Sequence, residues 1–187
     1  VLQSIAGTDE YVEMVTRYSV KAEKSNLLDL AINKHDERLG KNAAALLLQL
    51  GGSQLVWDIV NGADSIKQNS LLESMAGVGT KLSIDMLQSI ALSDKYSMAL
   101  RKTSDGKIGR SWSGEERVLE ILKAKKVPAD LIPDVVKSVS GAWRGSVRSE
   151  AAGYLPNDGK TTVAKKMITM QEINELAAKA DDGKKVF

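Results

Sequence analysis

Cysteine is missing from all 187 residues, which removes disulfides, thiolate chemistry, cysteine zinc sites and covalent haem attachment from what these residues do by themselves. Histidine occurs once, proline three times, and aromatics make up 4% of the chain. Charge of either sign is balanced, with 26 basic residues against 24 acidic ones and a formal charge of +2. The two signs are mixed along the chain, so neither a nucleic-acid footprint nor a membrane-surface footprint is expected. No apolar run reaches the length that spans a bilayer, and Val1 opens in mid-pattern without a charged leader. The chain is expected to be a piece of a longer polypeptide.

What is present is a helix-forming balance dominated by Leu, Ala, Lys, Glu and Ser, with 43% hydrophobic residues. An all-α class follows. Gly52, Gly79 and Gly106 lie 27 residues apart, and Asn42 and Asn69 share that offset. The apolar stripes between them are too short to bury a face alone. Stacked helical hairpins solve that problem, and the glycines read as helix stops in an α-α superhelix of the HEAT or armadillo kind.

In chain order, Val1–Ala6 reads as a last helical turn closed by Gly7. Thr8 and Asp9 cap a helix carrying Val12, Val15 and Tyr18, and Leu27, Leu28, Ala31 and Ile32 form a second stripe that ends at the charged run Lys34–Arg38. Leu39, Ala43, Leu46, Leu47 and Leu50 follow at steps of three and four, then Leu55, Val56, Ile59 and Val60. Trp57, inside that stripe, reads as core. Leu71, Leu72, Met75 and Val78 precede Gly79, and Leu82, Leu87, Ile90 and Ala91 follow it, while Met98, Ala99 and Leu100 run weakly toward Gly106. Ser113 with Glu116 has capping-box spacing ahead of Val118, Leu119, Ile121 and Leu122. Pro128 suits a helix start and Pro133 a first turn, with Leu131, Ile132, Val135, Val136 and Val139 on one face as far as Gly141. Val147, Ala151 and Leu155 carry a last helix to Pro156. This gives repeats over residues 1–156 in about five hairpins, a linker with one marginal helix over 157–180, and a charged end over 181–187.

The order Val147-Arg148-x-x-Ala151-Ala152-x-x-Leu155-Pro156 resembles the second helix of a HEAT repeat, where small alanines allow close helix approach and the arginine braces the adjacent turn. The stretch from Gly114 through Leu122, with Lys126-Val127-Pro128 and Leu131, is similar to a late repeat of bacterial multidomain proteins in which a sugar-dehydrogenase-like propeller, HEAT repeats and a C-terminal c-type cytochrome domain follow one another. Asp182-Gly183-Lys184-Lys185-Val186-Phe187 resembles the first helix of such a cytochrome, upstream of its haem-binding Cys-x-x-Cys-His. The resemblance implies a right-handed solenoid and a location in the periplasm or otherwise outside the cytoplasm. It also implies haem c in a C-terminal continuation, while no cofactor is assigned to any residue here.

Candidate chemistry within the chain is sparse. His35, in Lys-His-Asp-Glu-Arg, has no second His or Cys to complete a transition-metal site and reads as an exposed corner residue. A Ser-His-Asp set lacks a Gly-x-Ser-x-Gly elbow. The glycine-rich basic loop from Gly106 to Gly114 precedes a helix, yet Glu115 and Glu116 stand where a P-loop needs Lys. Asp181 and Asp182 read as a solvated end. Trp112 and Trp143, beside Arg110 and Arg144, read as residues of loops between units, where they serve either inter-repeat packing or partner binding. The expected function is a non-catalytic scaffold or spacer between neighbouring domains of the same polypeptide, and the alternative is a stand-alone module that binds another protein.

Overall fold

The computed structural model describes residues 2–156, so the expected linker over 157–180 and the cytochrome-like end lie outside the described residues. Among the described residues the regular structure is entirely helical. Two 3-10 turns, Leu2–Ile5 and Lys21–Glu23, accompany ten α-helices. These are α1 (Asp9–Tyr18), α2 (Lys24–Asn33), α3 (Arg38–Gln49), α4 (Ser53–Val60) and α5 (Ser65–Ala76). They continue with α6 (Lys81–Leu92), α7 (Met98–Ile108), α8 (Trp112–Lys123), α9 (Ile132–Ser138) and α10 (Gly145–Ala152).

Local sequence sets many of these starts. The side chains of Thr8, Asp64, Thr80, Ser97 and Ser111 each accept a backbone N–H of the first turn that no helical carbonyl can reach. Pro133 sits in the first turn of α9, where its missing N–H costs nothing. Pro128 does not open that helix. Its carbonyl instead accepts the Leu131 N–H at 2.9 Å in the turn before it. The cap of α8 likewise differs from the expected Ser113–Glu116 box: Ser111 Oγ takes the Gly114 N–H at 3.2 Å, and the helix begins two residues earlier. A serine three residues ahead of a free N–H caps whether or not a glutamate completes the box.

The helices fall into two rows, and the chain passes between them. In one row α1 packs on α3, α3 on α6, α6 on α8 and α8 on α10; in the other α2 packs on α5, α5 on α7 and α7 on α9. The helix α4 is an extra element, bent by 116° from α3 and resting on α2 and α5. Fully buried side chains from both rows, among them Leu27, Leu47, Leu71, Met75, Leu87, Ile90, Ile108 and Leu131, make one continuous apolar core. Tyr18, Leu82 and Leu155, counted on inner faces by spacing, are exposed.

This arrangement corrects the 27-residue beat. The starts of α5, α7 and α9 at Ser65, Met98 and Ile132 are 33 and 34 residues apart. Those of α6, α8 and α10 at Lys81, Trp112 and Gly145 are 31 and 33 apart. The earlier step is longer because α4 is inserted in it. Gly79 does interrupt a helix, with φ of 67°, whereas at the first beat the left-handed stop is Gly51, with φ of 78°, and Gly52 is the residue that precedes α4. Gly106 does not, since it lies inside α7 where an added Cβ would meet nothing within 4 Å. Packing on both flanks of α7 overrides glycine's weak helix preference.

The corners between rows need a different pair of glycines. Gly40 and Gly114 each occupy the third residue of a helix, and a Cβ there would lie 2.0 Å from the Lys34 carbonyl oxygen and 1.9 Å from that of Ile108. Each carbonyl belongs to the end of the preceding helix in the other row. Only a residue without a side chain lets the chain turn back so tightly.

Candidate functional site

The helix α7 is polar in sequence yet central in packing, touching α5, α6, α8 and α9. Its buried residues, Leu100, Arg101, Ser104, Asp105, Lys107 and Ile108, follow helical spacing with mostly polar side chains. Most of these find partners. Arg101 donates through Nε to the Ala91 carbonyl at 3.0 Å and pairs with Asp94 at 2.8 Å. Ser104 Oγ donates to the Leu87 carbonyl at 2.8 Å, and Lys107 pairs with Glu73 of α5. Arg110 also pairs with Glu73. Burial works against that carboxylate's charge, but the two cations outweigh it and hold Glu73 below the usual carboxylate range.

Asp105 is the exception. It is completely buried, and neither carboxyl oxygen has a hydrogen-bond partner. Burial, reinforced by the charge of Asp134, pushes its carboxyl up to about 8, against the weaker pull of Arg101. The acid is therefore held neutral at pH 7 beside α9.

On the solvent side of the same helices opens a cleft of about 690 Å³, lined among others by Lys102, Lys107, Arg110, Glu115, Asp134 and Lys137. Glu115 connects it to Trp112 through Arg144. Arg144, just ahead of α10, donates Nε to Glu115 and Nη1 to Glu116, both at 2.9 Å, and Nη2 to the Trp112 carbonyl at 3.1 Å. Its guanidinium carbon lies 4.3 Å from the centre of the Trp112 ring. Those carboxylates, Glu115 first, raise the arginine's hold on its proton. All three guanidinium nitrogens are thus committed within the chain, and Arg144 acts as a clamp from α10 to α8.

The four residues singled out in the sequence therefore divide. Arg144 and Trp112 come together in that stack, and Arg110 turns to Glu73 and the cleft. Trp143 stands out, 87% exposed, with its carbonyl accepting Arg148 Nη1 at 3.2 Å. The same nitrogen donates to the Ala142 carbonyl, so Arg148 does brace the turn ahead of its helix. Trp112 is 59% exposed and, contrary to its expected loop position, is the first residue of α8 because Ser111 caps there. Trp57 is only partly buried, packed against the core rather than within it.

His35 is half-buried at its corner, with Nδ1 3.0 Å from the Ile32 carbonyl oxygen. Among the described residues no group of three or more His, Asp or Glu side chains is placed to hold a metal ion. No single helix among them is long and apolar enough to cross a membrane. With no cysteine in the sequence, c-type haem has no attachment point in these residues. Comparison with family models, with curated proteins and with solved structures gives no match to this chain. Spacing did not reveal Glu73, Asp105 or Lys137, because the contacts that matter, such as Glu73 with Lys107, join residues 34 positions apart.

Proposed function

We propose that the described helices form a short α-solenoid and that the protein is a non-enzymatic scaffold, holding a partner protein or a neighbouring domain in fixed geometry. The observation that carries this reading is the pair of helical rows, which from α5 onward advance by 31 to 34 residues per step, each helix resting on its neighbours along the row. That step is shorter than the roughly 40 residues of HEAT units and close to the 33 or 34 of other two-helix repeats. Ion pairs join neighbouring helices along both rows: Arg38 with Asp9 at 3.0 Å, Arg117 with Asp85 at 2.8 Å, Lys123 with Glu150 at 2.8 Å, and Lys107 with Glu73. Trp143 and Trp112, both exposed, offer aromatic surface to a partner.

A scaffold must be stiff. The absence of cysteine allows clean labelling, so spin labels on Glu10→Cys in α1 and Ser146→Cys in α10 report its length directly. The expected result is a single narrow distance distribution; a broad or multimodal one rejects the reading.

The resemblance of Val147–Pro156 and of Asp182–Phe187 supports a second context for the same scaffold. In it, the array is a spacer between a dehydrogenase-like propeller and a c-type cytochrome domain, outside the cytoplasm. Expression of the longer polypeptide in a cytochrome-maturing host tests this, and a product without covalent haem rejects it.

A further inference from the structure

We infer that the cleft between α7 and α9 receives an acidic segment of the scaffold's partner protein, with its carboxylates meeting Lys137 and Arg110. This rests on the scaffold reading and names the chemistry of what is held.

Lys107 and Arg110 share a single carboxylate, Glu73, which leaves one positive charge uncompensated at the cleft wall. Lys102 faces Asp134 at 3.9 Å and those two charges cancel, while Arg144 is shared by Glu115 and Glu116, both at 2.9 Å, which leaves one carboxylate in surplus there. Lys137 lines the cleft, is exposed, and has no ionic partner among the described residues. Lys137 and the Lys107–Arg110 pair thus bring two unmatched positive charges against one surplus carboxylate, a net excess of one positive charge at the concavity. Arg110 uses one nitrogen on Glu73 and keeps further N–H donors for a planar carboxylate. Asp105, neutral behind the wall, does not cancel this excess at pH 7.

Space fits a peptide. At Gly106 and Gly141, which also line the cleft, an added Cβ would meet nothing within 4 Å, so backbone can approach there without obstruction. Small-molecule sites are lined mostly by apolar and aromatic side chains, whereas this cleft is lined by charge and contains no aromatic ring. That lack also argues against single-stranded nucleic acid, which uses stacking platforms along a basic track.

The test is fluorescence anisotropy of a labelled hexaglutamate peptide titrated with the full chain at low salt. Saturable binding is expected, weakened about tenfold or more by Lys137→Glu combined with Arg110→Gln. It should change by less than roughly twofold on reversing a charge far from the cleft, Lys21→Glu. Should the double variant lose its helical circular dichroism, Lys137→Glu alone replaces it, since that side chain breaks no ion pair. The inference is overturned by absent binding, by equal loss in the Lys21→Glu control, or by tighter binding of a thymidylate hexamer. A narrow spin-label distance without peptide binding removes this inference and leaves the scaffold; a broad distance with cleft-dependent binding does the reverse.

Discussion

Asp105 makes the sharpest statement available at the level of a single residue. Its carboxyl, ordinarily near 3.8, is raised to about 8 in the fold. Between those two values the folded protein binds more protons than the unfolded chain, so stability falls as pH rises through that window. Below pH 4 the contribution is fully present, and above pH 8 it is gone. Each unit of separation is worth about 1.4 kcal/mol. Urea unfolding at pH 5, 7 and 9 should show progressive loss, and Asp105→Asn should flatten the trend and raise stability at pH 9; a variant that keeps the native slope would place the titrating group elsewhere. Nothing in the sequence marks this residue, because Lys-Thr-Ser-Asp-Gly-Lys reads as a solvated face. The apolar core was plainer: Leu27, Ala31, Leu46, Leu47, Leu71, Leu72 and Met75 announce themselves at steps of three and four, and all are buried.

Between elements, the corners decide the architecture more than the helix interiors do. Gly40 and Gly114 sit where one row's helix end meets the next row's helix start, and Ser83 occupies the same third position in α6. In Gly114→Ala the new methyl would overlap the Ile108 carbonyl. The expected destabilisation is about 2 kcal/mol or more, read as a lower urea midpoint, while Gly106→Ala, with open space around it, should be neutral or stabilising. Equal effects at the two sites would contradict this account of the corners. A beat counted between glycines could not separate these roles, since a left-handed stop (Gly79), a helical glycine facing open space (Gly106) and a steric necessity (Gly114) are the same letter. The candidate site was legible only in part for a related reason. Trp112 and Arg144 could be suspected from their types, but the carboxylates that clamp Arg144 come from α8, almost thirty residues upstream.

Across the whole unit, the packing along each row means that stability is passed from neighbour to neighbour. The joints are unequal. The junction of α7 with α5 and α6 is fastened by Glu73, by the Ala91 and Leu87 carbonyls and by Asp94. At the junction of α7 with α9 the polar fastening is the long Lys102–Asp134 pair at 3.9 Å, and Asp105 is buried there without a hydrogen-bond partner. Under tension applied to its two ends, such a chain does not yield uniformly. In an optical trap the junction of α7 with α9 should give way at a force that drops as the bath is made alkaline and Asp105 ionises, while Arg144 and the Lys123–Glu150 pair hold α10 to α8. A force indifferent to pH would count against it. One buried acid thus makes a single joint of this helical array answer to pH under load while its neighbours do not.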